Sequence, residues 1–229
     1  MLYQALQEQV FARLGADTTS TYITSKNVRD WLNEAHLWAS SYKKWPFTEY
    51  MDESGTYTPG TSAYNYPNTN FKTDSIRFLL VGTTPFAKKI FSDFGQYFVD
   101  YPSGTDKIFT DYGRILYINP NCVAGTIYTF GQLTPPTLGL VASSSSSTVF
   151  NNYDPEGDDA VIDKVCDFAS RRMKKFQDSA DYYARAKATL DELWKRIQDE
   201  QAMYQTKDRQ LFEDFNVFDD NGYDNTLQF

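Results

Sequence analysis

The chain has 229 residues, of which 41% are hydrophobic and 17% aromatic, and its formal charge at pH 7 is −8. It is long enough to bury a hydrophobic core, but an acidic chain lacks the clustered Lys and Arg that general binding to nucleic-acid phosphates requires. The same charge is compatible with a passage through which DNA slides without being held. The aromatic content indicates large contact areas in cores and interfaces.

Neither a membrane span nor a secretory signal is expected from the sequence. No apolar run approaches the roughly 20 residues that cross a bilayer, and the first residues lack a basic segment followed by an apolar one. Cys122 and Cys166 form no CxxC pattern and predict no disulfide framework. We therefore expect a protein that is made and kept in a cytoplasm.

Residues 1–46 predict two helices. Leu2, Leu6, Val10 and Leu14 repeat at the spacing of one helical face, and Gly15 offers a stop. A second helix follows a cap at Thr24, Ser25 or Asn27 and ends before Trp45-Pro46. Its apolar side comprises Val28, Trp31, Leu32, Ala35, Trp38 and Ala39.

Residues 47–150 change to short β-prone runs separated by Gly, Pro, Asn, Asp and Ser. This pattern predicts a small antiparallel sheet or sandwich joined by hairpins. The serine run Ser143–Ser147 is too polar to pack and marks the exit from this region. The strands are expected near Phe47–Met51, Ser75–Val81, Ala87–Phe91, Gln96–Val99, Arg114–Ile118 and Thr126–Gly131.

Residues 151–207 predict a helical hairpin. Asp154-Pro155-Glu156 begins the first helix, with proline and acids suited to its first turn, and Ser179 is expected to cap the second. The apolar stripes are Ile162, Val165, Cys166, Ala169, Met173 and Phe176, then Tyr183, Ala186, Leu190, Trp194 and Ile197. The predicted fold class is therefore α+β: a bundle of N- and C-terminal helices with an inserted β region.

Residues 208–229 alternate aromatic and acidic side chains and are predicted to be an extended tail that orders on a partner. A frayed terminus and packing on the same subunit are the alternatives. The residues of the tail predicted to bind this partner are Leu211, Phe212, Phe215, Val217, Phe218, Tyr223 and Phe229.

No pattern in the chain predicts catalytic, cofactor-binding or metal-binding residues. The single histidine, His36, lies in an aromatic stretch and is expected to pack or face solvent; no nucleophile motif or Gly-rich phosphate loop accompanies it. The acids Asp154, Glu156, Asp158 and Asp159 lack EF-hand spacing and fit a helix start better than a calcium site. A carbohydrate-binding or wall-degrading module, with stacked aromatics and paired carboxylates, remains an alternative.

The largest basic concentration is Arg171, Arg172, Lys174 and Lys175. On one continuous helix, residues 171, 174 and 175 share a face while Met173 and Phe176 point inward, which indicates a solvated face. The functional alternative is contact with an acidic neighbour, such as the acidic tail of an adjacent copy.

The order of these parts resembles that of the head-to-tail adaptor, or head-completion, proteins of tailed bacteriophages, over about residues 25–205. The phrases that carry the resemblance are Asn27–Ala35, Trp45–Phe47, Ser75–Val81, Gly113–Pro120, Gly125–Phe130 and Asp159–Ile162. The serine run and the acidic tail have no counterpart in the resemblance.

The resemblance implies a structural virion protein of the phage neck without catalysis. It implies a ring of about twelve copies beneath the portal protein, which also binds the next neck or tail protein and lets DNA pass without specific binding. C-terminal segments in that family often reach the portal, which suits the residues after Leu211. Another phage tail or baseplate connector is the nearest alternative.

Overall fold

A computed structural model describes residues 1–16, 21–66, 68–139 and 146–207. Within these residues the protein is a mixed α+β structure with five α-helices and one seven-stranded sheet. None of the described helices is both long and apolar enough to cross a membrane. The predicted tail, residues 208–229, lies outside the described residues.

The first two helices form much as predicted. Helix α1 spans Tyr3–Leu14 and ends at Gly15, whose φ of 58° is left-handed. Helix α2 spans Ser25–Tyr42, and the Thr24 hydroxyl accepts a hydrogen bond from the Asn27 N–H at 3.2 Å, which confirms the predicted cap. The expected apolar sides of both helices are largely buried, although Leu2 precedes α1 and is half exposed.

The last two helices form an antiparallel hairpin. Helix α4 spans Glu156–Arg172 and begins directly after Pro155, as predicted. The fifth helix, α5, spans Phe176–Lys207. The prediction of a cap at Ser179 is wrong, because α5 begins three residues earlier and the Ser179 hydroxyl donates to Asp167 instead, at 2.7 Å.

Helices α1, α2, α4 and α5 share one hydrophobic cluster, and we call this part the helical region. Helix α4 lies at its centre, in contact with the other three helices. The cluster draws on residues as far apart as Leu6 and Ile197, so the two ends of the described chain fold together. Trp45, which follows α2, is fully buried there and donates from its indole N–H to the Ala39 carbonyl at 2.9 Å.

The middle of the chain forms the sheet in the order β1-β7-β3-β4-β5-β6-β2. Tyr57 and Tyr64 lie on the two edge strands, yet their rings are 6.0 Å apart, so the sheet is curled. All neighbouring pairs are antiparallel except the parallel pair β4 and β5. The strands are β1 (Glu49–Tyr57), β2 (Ala63–Asn65), β3 (Phe78–Val81), β4 (Thr84–Lys88), β5 (Ile108–Tyr112), β6 (Ile115–Ile118) and β7 (Gly125–Gln132).

One predicted strand is a helix. Residues Gln96–Val99 belong to α3, which spans Phe91–Asp100, and the strand predicted at Ala87–Phe91 instead ends at Lys88. Phe91, Phe94 and Phe98 repeat at the spacing of a helical face, and this period outweighs the β propensity of single aromatics. Since α3 lies between β4 and β5, it serves as the crossover that parallel strands need, so hairpins do not make every connection.

The curled sheet encloses a second hydrophobic cluster, and the strands together with α3 form what we call the sheet region. Strand β2 was not predicted, and neither was strand β5. Strand β5 carries the fully buried Phe109 beside the buried polar residues Thr110 and Asp111, so its apolar pattern is interrupted. Of the predicted serine link, residues 143–145 lie outside the described residues, whereas the Ser146 carbonyl accepts from the Tyr3 N–H at 2.8 Å.

Candidate assembly surfaces

The turn between α4 and α5 gathers the predicted basic residues, and we name Arg171, Arg172, Lys174 and Lys175 the basic turn. Helix α4 ends at Arg172, and Lys174 has a left-handed φ of 59°. The Lys175 N–H donates back to the Ser170 carbonyl at 2.9 Å, which closes the helix end. The prediction that residues 171, 174 and 175 share one helical face is therefore wrong, because the helix stops between them.

Arg171 differs from the other three members because it belongs to a buried network. The Asp167 side chain is fully buried and accepts hydrogen bonds from Lys164, Arg171 and Ser179, each at 2.7 Å. Burial raises the pKa of Asp167, but these donors outweigh burial and leave the pKa below its ordinary value. Arg171 thus helps to hold α4 against α5.

Arg172, Lys174 and Lys175 are exposed, and none of them has an acidic partner within the described part of the chain. Phe176 follows directly and is 69% exposed, so its predicted inward position is wrong. Phe176 is the first residue of α5. The result is a cationic surface with an exposed aromatic ring at its edge, a combination suited to an acidic, aromatic partner.

A second surface lies on and beside α3. We name Ile90, Phe91, Val99, Tyr101 and Tyr112 the aromatic ledge, and all five are exposed. The Phe91 ring stacks on Tyr112 with centroids 4.5 Å apart, so the helix and strand β5 present one surface. Contiguous exposed apolar patches mark interaction sites, and the Phe91–Tyr112 contact is the one that joins the two elements of the ledge. Sequence reasoning missed the ledge because it treated α3 as a strand, although the spacing of Phe91, Phe94 and Phe98 was available as a signal.

His36 is buried inside the helical region, in agreement with the packing interpretation. Its Nε2 accepts a hydrogen bond from the Val149 N–H at 3.0 Å, so the imidazole is neutral there. Burial lowers the pKa of His36 to about 4. The side chain thereby ties α2 to the segment that precedes α4.

The acids at the start of α4 are engaged in ion pairs and hydrogen bonds. Asp159 pairs with Arg13, Asp154 lies 3.1 Å from Arg196, and the buried Asp158 accepts from the Thr148 hydroxyl. Among the described residues, no group of three or more His, Cys, Asp or Glu side chains is placed to hold a metal ion.

The two cysteines lie in different hydrophobic clusters and are both free. Cys166 is inside α4 and Cys122 follows β6. Burial raises the pKa of the Cys166 thiol to about 12, which leaves it protonated and unreactive at neutral pH.

A shallow depression beside α5 is lined by Tyr153, Asp154, Arg196 and Glu200 among others. It holds two carboxylates, as the carbohydrate alternative requires, but Arg196 pairs with Asp154 across it. One aromatic side chain lines it, where that alternative predicts a row. The portal-binding residues predicted from the sequence, all between Leu211 and Phe229, lie outside the described residues.

The fold is mixed α+β, and the protein exposes a cationic surface at the basic turn and apolar side chains at the aromatic ledge. The family model of the SU10 adaptor protein matches residues 1–211. The chain therefore belongs to the SU10 adaptor protein family, a family of phage head–tail adaptors, and the resemblance drawn from the sequence is confirmed. No curated protein matches the chain.

Proposed function

We propose that the chain is the structural head-to-tail adaptor of a tailed phage, assembled as a ring of about twelve copies beneath the portal protein. In this position the ring joins the portal to the next neck or tail protein and keeps the DNA channel open. The observation that carries the proposal is membership in a phage adaptor family over residues 1–211. In the proposed ring, the helices of the helical region form a bundle into which the sheet region is inserted.

The exposed surfaces supply contacts between copies. The aromatic ledge would be an aggregation liability on an isolated monomer. In a ring, where each copy presents one surface to the next, the same side chains are covered. The basic turn is a second contact, since three of its cations have no acidic partner within the described residues.

The tail is assigned to the portal. Its apolar side chains, from Leu211 to Phe229, alternate with acids and suit a segment that orders on a partner. The entropy lost when the tail orders is offset only when the partner is present. The tail therefore orders only on contact with the portal, and this contact stabilises the attachment. The formal charge of −8 suits a channel from which DNA phosphates are repelled.

The test is a native mass measurement on the chain mixed with the portal protein of the same phage. We expect a stoichiometric complex of two rings, which deletion of Leu211–Phe229 weakens. A second variant keeps the acids and replaces Phe212, Phe215 and Phe218 by serine. We expect this variant to weaken binding as well, because the aromatic rings supply the contact area.

Two results would contradict the proposal in different ways. Unchanged portal binding after the deletion overturns the role of the tail. Absence of any affinity for the portal overturns the adaptor assignment and favours another connector of the tail or baseplate.

A further inference from the structure

The tail and the basic turn carry opposite charge. Residues 208–229 contain six acids and one arginine, a formal charge of −5 out of the −8 of the whole chain. The basic turn places four cations within five residues, three of them exposed and without an acidic partner among the described residues. The strongest negative and positive segments of the sequence are therefore candidates for each other.

The apolar parts also correspond. In the tail, Phe212, Phe215 and Phe218 are interleaved with the acids. At the basic turn, the exposed Phe176 begins a line along α5 that continues four and seven residues later with Ala180 and Tyr183, both exposed. Asp178 and Asp181 flank this line, so the attractive charge is concentrated at the turn itself.

The length of α5 limits how much of the tail can reach the basic turn of its own chain. Helix α5 has 32 residues, so at about 1.5 Å per residue Lys207 lies about 48 Å from the basic turn. Glu213 and Asp214 come six and seven residues after Lys207, and an extended chain of that length covers at most about 25 Å. Glu213 and Asp214 therefore cannot reach the basic turn of their own chain, whereas Asp219 and Asp220, twelve and thirteen residues after Lys207, approach that distance only at full extension.

We propose that, in the absence of the portal, the segment Glu213–Asp220 of one copy docks on the basic turn and Phe176 of another copy. This rests on the proposed assembly of copies and names the segments that meet in it. The contact is heterologous, because tail and turn are different surfaces, and heterologous contacts are the kind that close into rings. It also keeps the acidic aromatic segment covered until a portal competes for it.

Carbodiimide cross-linking of the full-length chain tests the docking. Ordinary and ¹⁵N-labelled chains are mixed in denaturant and refolded together, and the reagent then joins Lys174 or Lys175 to tail carboxylates within contact distance. We expect peptides that link these lysines to Glu213, Asp214, Asp219 or Asp220 and that carry one label of each kind. Their yield should fall as salt is raised, since the attraction is between charges near the surface.

Matched charge reversals sharpen the test. Arg172→Glu changes the basic turn but leaves Lys174 and Lys175 as reporters, and we expect it to lower the mixed-label yield several-fold. Lys187→Glu makes the same charge change at an exposed site further along α5 and should leave the yield unchanged.

The docking is overturned by links in which both peptides always carry the same label, by links confined to Asp224, by the absence of links, or by equal loss in the two variants. If the chain still forms the portal complex while the mixed-label links are missing, the docking fails and the adaptor function stands. If neither the portal complex nor the links form, both fail.

Discussion

Different polar groups stabilise the interior of the helical region and that of the sheet region. In the helical region, buried charges do this: Asp167 joins Lys164, Arg171 and Ser179 between α4 and α5. In the sheet region, tyrosine hydroxyls bind loop backbone, as when Tyr57 donates to the Asn119 carbonyl at 2.8 Å. The charged network fixes the position of α4 relative to α5. The tyrosine hydroxyls hold short loops against the curled sheet.

Aromatic side chains lie both in the hydrophobic cores and on the surface of the protein. The composition indicated large contact areas in cores and interfaces, and Trp45, Tyr57, Phe71, Phe109 and Phe150 are fully buried within one chain. Among the exposed aromatic side chains, Phe91, Tyr101 and Tyr112 belong to the ledge of the sheet region, and Phe176 lies beside the basic turn of the helical region. Within the described part of the chain, aromatic side chains therefore contribute to stability as well as to exposed surfaces.

The largest effect is expected at Asp167. Replacing it by alanine leaves Lys164, whose side chain is 8% exposed, without its buried partner, and we expect a loss of about 3–5 kcal/mol in the free energy of unfolding. Urea denaturation followed by circular dichroism measures this loss. Asp178→Ala is the control, because Asp178 is exposed and should change stability by less than about 0.5 kcal/mol.

The pH dependence of Asp167 follows from its lowered pKa. Its contribution is fully present above the ordinary carboxyl pKa and is lost as pH falls through the lower folded value. The alanine variant should therefore approach the parent in stability under acid conditions. An equal gap at neutral and acid pH would contradict the assignment.

Between pH 7 and pH 5, we expect protonation of His36 to be the main cause of the change in the free energy of unfolding. The unfolded imidazole binds a proton near its ordinary pKa of 6.5, while the folded one does so only near 4, so stability falls as pH drops between these values. We expect a loss of about 2 kcal/mol from pH 7 to pH 5. His36→Gln should flatten this profile, since the chain has no other histidine. Urea midpoints at the two pH values provide the measurement, and an unchanged slope in the variant would refute the role.

Tyr57→Phe tests the hydroxyl chemistry of the sheet region. The hydroxyl donates to Asn119 and accepts from the Cys122 N–H at 3.1 Å, and both backbone groups lose a buried partner in the variant. We expect a loss of about 1–3 kcal/mol in urea denaturation. Tyr50→Phe is the matched control on an exposed position of the same strand, and a similar loss there would contradict the explanation.

The smallest effect is expected at Asp111 in strand β5. Burial, above all, raises the pKa of this carboxyl, in spite of the hydrogen bond from Tyr66 and the Lys88 ammonium 3.7 Å away. Its sign is therefore opposite to that of Asp167, because stability rises as pH falls through the raised value. Asp111→Asn should change stability at pH 7 by less than about 1 kcal/mol. A loss as large as that of Asp167→Ala would erase the contrast between the regions.

The sequence predicted the helices far better than the sheet. Val28, Leu32 and Ala35 recur at the spacing of one helical face, and all three are buried in the structure. Strand β5 interrupts its apolar run with the buried Asp111, whose partners Tyr66 and Lys88 are distant in sequence, so its burial could not be read from its neighbours.

The candidate surfaces divide in the same way. The composition of the basic turn was visible in the sequence, but its geometry depends on the left-handed Lys174, a conformation that sequence patterns do not announce at lysine. The aromatic ledge pairs Phe91 with Tyr112 across a crossover and could not be assembled without the fold.

The most direct test of the central claim is a cryo-electron microscopy reconstruction of the neck in intact virions. We expect a ring of copies with this fold seated between the portal and the next neck or tail protein, with the ledge and the basic turn covered by neighbouring copies. A ring located elsewhere in the tail, or copies whose ledge and basic turn face open solvent, would contradict the claim.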